Sequence, residues 1–322
     1  MRRTIINKAR RAPKRIVLAE GEHPTILRAA AHIVDEGIGQ PILLGRSDVI
    51  RKEVDDLGLR FEPTMIDLST DARLDAYAQA YFQLRQRHGM SLHSARERVG
   101  EPNLFGMMMV HQGEADAFLS GLTYEYPEVI RPALQIFHTQ PGVRKAAGAY
   151  VMLVRDKVYI FSDATVNIEP DAEDLAEIAL LAAGLATRLS LTPRVAMLSF
   201  SNFGSVRHPL AEKVRRAVEL VRARRPDLVI DGEMQADVAV TPELIENRFS
   251  FSRVKGANVL IFPDLEAANV AYKLLRRLGG ARTIGPILLG VGAPVHVLQA
   301  GDDVDEIVSI AAVAVTDAQE KP

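Results

Sequence analysis

From Arg15 onward the chain alternates short apolar runs with longer segments of helical period, and this alternation limits the fold more than any single motif does. The runs RIVLAEGE, PILLG and MIDLS are separated by helical stretches from Pro24 to Asp35 and from Ser47 to Leu57. Strands joined through helices cross over right-handedly, which builds a parallel sheet with helices on its faces. PILLG is uniformly apolar, as a strand covered on both sides requires. A long helix is expected from Asp71 to His88, with Leu74, Tyr77, Ala78, Tyr81 and Leu84 on one face and Arg85 following them. Asn103 to Gln112, carrying Met107, Met108 and Met109, reads as a core-filling helix. ADAFLSG reads as a strand ending at Gly121, and Thr123 and Tyr124 lead into a helix that contains Arg131.

From Ala149 the period changes. YVMLVRDKVYIFSD reads as a hairpin turning at Arg155, Asp156 and Lys157, which puts a domain boundary near residue 148. Asp171 is placed to cap a helix running to Arg188. RVAMLSFS then forms a buried strand whose exit, SNFGS, precedes a helix beginning at Pro209. The last strand-to-helix passage, GPILLGVGAPVHVLQAGDDVDE, reads as a strand, a corner, a second apolar run and a helix opened by Asp302 and Asp303. The whole pattern is α/β, two α/β/α sandwich domains facing a cleft, with ligand sites expected where strand ends meet helix N-termini.

A chain of 322 residues, 48% hydrophobic, has enough apolar material for two such domains. Its 39 basic and 41 acidic residues nearly cancel, so composition demands no nucleic-acid partner. No apolar run is long enough to span a bilayer, and no membrane partner is expected. The absence of Cys removes thiol catalysis, disulfides and thiolate metal sites, and it fits a cytoplasmic location. The basic start, MRRTIINKARRAPKR, reads as a solvated helix or a linker. There is no GxxxxGK[ST] loop, no GxGxxG leading into a helix, no HExxH and no GxSxG, so no metal site is expected and a hydrolase triad has little support.

A longer set of segments is more informative. AEGEHPTILRAA, GEADAFLSG, IRPALQIFHTQPG, DATVNIEPDAEDLAEIA, VAMLSFSNFGS, DGEMQADVA, FPDLEAANVAYKLLRRLGG and IGPILLG follow one another across almost the whole chain. Together they resemble the phosphate acetyltransferase and butyryltransferase family. The resemblance implies a discontinuous first domain, 1–148 plus 293–322, around a second domain, 149–292. It also implies homodimer formation and acyl transfer between coenzyme A and phosphate, in which a carboxylate takes the thiol proton and cationic or hydroxyl groups stabilise the developing charge. The same resemblance makes Arg85, Thr123, Arg131, Ser201, Asn202, Gly204, Ser205 and Gln299 candidate ligands of acetyl-CoA or phosphate. Active members carry a motif like PVNDLSRG followed by an acidic residue. Here Gln299 stands at the position of the catalytic Ser, Ala300 at that of the adjacent Arg, and Glu306 at that of the general-base Asp. These degenerate positions lead to an expectation of little or no transferase activity and no catalytic residues.

The tail HVLQ narrows the resemblance to the transacetylase-like regulatory domain of large bacterial NADP-dependent malic enzymes. That implies a non-catalytic acetyl-CoA sensor that also assembles the oligomer. It would hold no cofactor of its own, with acetyl-CoA as allosteric ligand, and an oxidoreductase domain elsewhere would be its partner and carry NADP and a divalent metal. Two alternatives stand beside it: a working phosphate acetyltransferase using Glu306 as base and Arg131 as phosphate clamp, and a purely structural assembly module.

Overall fold

The basic start forms helix α1 (Arg2–Ala9) in the computed structural model, which describes residues 1–320. Ile5, Ile6 and Ala9 are buried, so this segment is a packed amphipathic helix and not a linker. The expected alternation follows as β1 (Lys14–Leu18), α2 (Pro24–Asp35), β2 (Gly39–Leu44), α3 (Ser47–Asp56) and β3 (Thr64–Ile66). The helix expected from Asp71 to His88 is shorter. α4 spans Leu74–Arg85, and Gln86–His88 tighten into a 3₁₀ turn that Gly89 stops at φ 81°. α5 (Leu92–Val99), a mostly polar helix capped by Ser91, has too few apolar residues to announce itself by period. α6 (Pro102–His111), β4 (Ala117–Ser120) and α7 (Tyr126–Phe137) complete the N-terminal part of the first unit, which spans residues 1–140 and resumes at Val291.

The second unit, residues 141–290, opens with the hairpin β5 (Ala147–Val154) and β6 (Lys157–Ser162). It continues through α8 (Ala172–Arg188), β7 (Arg194–Leu198), α9 (Pro209–Arg224), β8 (Val229–Met234), α10 (Ala236–Val240) and α11 (Pro242–Arg248). β9 (Val259–Ile261), α12 (Leu265–Arg277) and β10 (Arg282–Leu289) close it. Its sheet runs β10-β5-β6-β9-β7-β8, antiparallel across the first two pairings and parallel thereafter.

Back in the first unit, β11 (Val295–Val297) and α13 (Val304–Gln319) finish the chain; residues 321 and 322 of the expected C-terminal segment lie outside the described residues. The first sheet is entirely parallel, in the order β11-β4-β1-β2-β3. From Ile307 onward, α13 is buried nearly all round and packs on α1, α2, β1 and β4, as its Ala, Val and Ile composition requires. α1 is fastened to it at both ends, by Arg2 with Asp305 and Lys8 with Glu320. The Gln319 amide adds hydrogen bonds to the carbonyls of Ala9 and Ala12. Among the described residues no helix is long and apolar enough to cross a membrane.

Candidate active site

At the carboxyl edge of the first sheet, the ends of β1, β4 and β11 lie side by side. Glu20, just beyond β1, is only 9% exposed. Its carboxylate gathers the loop after β4: one oxygen accepts the N–H groups of Gly121 (2.9 Å) and Leu122 (3.1 Å), and the other accepts the Thr123 N–H and hydroxyl. Ser120 donates to Asn103 Oδ1 at 2.6 Å, so α6 holds the same loop from its other side. Gly121 has φ 120°, and a Cβ there would stand 2.6 Å from the Leu298 carbonyl oxygen. Only glycine lets β11 approach β4 so closely. The Leu298 N–H donates to the Ser120 carbonyl at 2.7 Å, which fixes where the following segment leaves the sheet.

That segment carries the residues that differ from the family motif. Gln299 starts a tight turn in which its N–H donates to the buried Asp302 carboxylate at 2.8 Å and its carbonyl accepts the Asp302 N–H at 3.0 Å. Ala300 is exposed. Glu306 sits in the first turn of α13, where it and Asp303 form a reciprocal capping box: Glu306 Oε2 accepts the Asp303 N–H at 3.0 Å, and Asp303 Oδ1 accepts the Glu306 N–H at 2.8 Å.

Beside this edge a cavity of about 360 Å³ is lined by Arg98, Glu101, Asn103, Tyr124, Glu128 and Arg131, among others. Arg131 projects from α7, exposed, and forms no ion pair among the described residues. Arg98 is held by neutral groups: its Nη1 donates to the Tyr81 hydroxyl at 3.1 Å, its guanidinium lies 5.7 Å from the centre of that ring, and the fully buried Tyr81 donates to Gln135 at 3.0 Å. Both cations are therefore uncompensated by a direct carboxylate contact, the condition in which an arginine can take an anion. Burial, with the negative charges of Glu20, Glu101 and Glu128, pushes the Tyr124 hydroxyl up, so it enters the cavity as a neutral donor. Arg85, at the end of α4, does not line the cavity; its Nε is buried without a hydrogen-bond partner among the described residues.

Ser201, Asn202, Gly204 and Ser205 fold into a closed loop at the carboxyl edge of the second sheet. The Ser201 hydroxyl and the Gly204 N–H both donate to Glu233 Oε1, at 2.9 and 2.7 Å. Asn202 exchanges hydrogen bonds with Gln235, and its N–H donates to the Ser205 hydroxyl at 3.0 Å. The groups read as available for a ligand are thus occupied in shaping the loop. Burial alone would push the Glu233 carboxyl up, but these donors and the Arg215 guanidinium hold it below the usual carboxylate range. Asp163 plays a similar part nearby, with one oxygen accepting the N–H groups of Gly148, Thr165 and Val166 and the other that of Asn167. Among the described residues no three His, Asp or Glu side chains gather as a metal site. Glu20, Arg98 and Glu233 were not singled out from sequence; the signal for the two acids was a carboxylate directly at the end of an apolar run, in AEGE and DGEMQ.

Comparison with known proteins bears on the whole chain. A family model described as "Phosphate acetyl/butaryl transferase" matches residues 1–315. A phosphate acetyltransferase of Thermoanaerobacterium thermosaccharolyticum is 42% identical over 324 residues, covering 98% of this chain and 98% of its own. A phosphotransacetylase structure from Streptococcus pyogenes superposes with a TM-score of 0.93 at 36% identity, covering 99% of both chains. The NADP-dependent malic enzyme of Escherichia coli is 41% identical over 99% of this chain, but the match takes in only 43% of that protein. The end-to-end matches to phosphate acetyltransferases correct the reading of this chain as a malic enzyme's non-catalytic sensor, and with it the oxidoreductase and NADP assignments. That reading gave the substitutions at 299, 300 and 306 more weight than the similarity of the remaining chain.

Proposed function

Because the chain belongs to the phosphate acetyl/butyryl transferase family, we propose that it transfers an acetyl group between coenzyme A and phosphate, acetyl-CoA + phosphate = acetyl phosphate + CoA. The observation that carries this reading is the 42% identity, over 98% of both chains, to a phosphate acetyltransferase. Arg131, which lines the cavity and forms no ion pair among the described residues, supports it as a phosphate clamp. Written toward the thioester, Glu306 takes the coenzyme A thiol proton, and the thiolate attacks the carbonyl carbon of acetyl phosphate. The C–O bond to phosphate then breaks and phosphate leaves with the electron pair, its charge held by Arg131. Gln299 takes the place of a hydroxyl at the motif position; its side-chain amide can donate to the developing oxyanion as a serine would.

The capping box makes a clean test possible, because Gln serves at its third position as well as Glu does. Glu306→Gln therefore keeps the helix start and removes the base. Thioester formation from acetyl phosphate and coenzyme A is expected to fall by about 10²- to 10⁴-fold with an unchanged melting temperature, while Arg131→Ala raises the KM for acetyl phosphate. If the unmodified protein forms no thioester above the uncatalysed rate, the proposal fails.

A further inference from the structure

The amino edge of the second sheet, opposite the loops held by Asp163 and Glu233, carries a separate cavity of about 500 Å³. Three cationic side chains line it, Lys157 at the start of β6, Arg194 at the start of β7 and Lys255 before β9, against the single carboxylate of Asp156. None of the three cations forms an ion pair among the described residues. The floor is built from polar groups. Asn258, 8% exposed, accepts the Arg194 N–H at 2.8 Å and donates to the Thr192 carbonyl at 2.9 Å. Arg194 Nε donates to the Gly256 carbonyl at 2.7 Å, so the guanidinium is positioned by a neutral acceptor and keeps its charge for a ligand. The remaining wall is apolar and partly flat, formed by the half-buried Tyr159 with Leu191 and Pro242.

A cationic cluster of one positioned arginine and two exposed lysines, beside an aromatic and aliphatic wall, matches a ligand with a phosphate at one end and a planar ring at the other. We propose that this pocket binds a nucleoside phosphate, its phosphate taken by Lys157, Arg194 and Lys255 and its base laid against Tyr159. The site is independent of acyl transfer, since none of its residues belongs to the proposed reaction.

The test is calorimetric titration of the full chain with AMP, with inorganic pyrophosphate and adenosine as partial probes. AMP is expected to bind more tightly than either. The double variant Lys157→Gln, Lys255→Gln is expected to weaken AMP about tenfold or more without moving the melting temperature. No heat from millimolar AMP, pyrophosphate binding as tightly as AMP, or full affinity in the double variant would each overturn the assignment.

Discussion

Three buried carboxylates, Glu20, Asp163 and Glu233, do comparable work: each sits at the end of a strand and collects the donors of a loop that would otherwise be left without shape. Hydrogen bonds to an ionised acceptor are about twice as strong as neutral ones, so the Glu233 loop gains from the charge being present. For Glu233 the sign follows directly. A carboxyl held lower in the folded chain than in the unfolded one contributes stability that is complete above the unfolded value, about 4.3, and is lost as pH falls through the folded value. Melting curves between pH 3 and 7 are expected to show Glu233→Gln less stable than the unmodified chain above about pH 5, with the gap closing toward pH 3. A constant gap would mean that the charge contributes nothing. The motifs containing these acids were visible in the sequence, but their roles were not. Glu20 meets Gly121, Leu122 and Thr123 across about a hundred residues, and Arg98, Tyr81 and Gln135 join only after three helices have packed.

Elements were far more legible than residues, for a physical reason. A strand buried on both faces must be apolar throughout, so β1, β2, β4 and β7 were readable from a few letters each. α5 was not, because it buries only Ala95 and Val99 and presents no stripe. The acidic run at the start of α13 announced a helix, yet not that Glu306 would spend one oxygen on the helix's own cap. Packing also reverses a propensity argument in α6. Alanine favours a helix over glycine by about 1 kcal/mol, but a Cβ on Gly106 would fall 2.6 Å from the Phe118 ring and 2.9 Å from Val17. Gly106→Ala is therefore expected to destabilise the protein by about 1–3 kcal/mol, the usual result of overpacking a core. Urea unfolding would reveal it as a lower midpoint at an unchanged slope, and a stabilised variant would refute the packing argument.

Over the whole molecule, fold class was readable because alternation of strands and helices leaves few topologies. The reaction was misjudged because three altered letters near the end, at 299, 300 and 306, were given more weight than an end-to-end likeness to transferases. The first unit depends on distant chain: β11 fills the edge beside β4, and α13 supplies much of the core under β1 and β4. Removing everything after Gly290 is expected to leave 141–290 resistant to limited proteolysis and to render 1–140 sensitive, as peptide mapping would show. Equal resistance of both parts would contradict this dependence. The fastening of α1 to α13 extends the same dependence into biosynthesis. As the chain emerges from the ribosome, β4 waits with one edge open while the 150 residues of 141–290 are made and find their own sheet. The protein thus completes its middle before its beginning, and a stalled or truncated copy would display an unpaired strand edge for other chains to join.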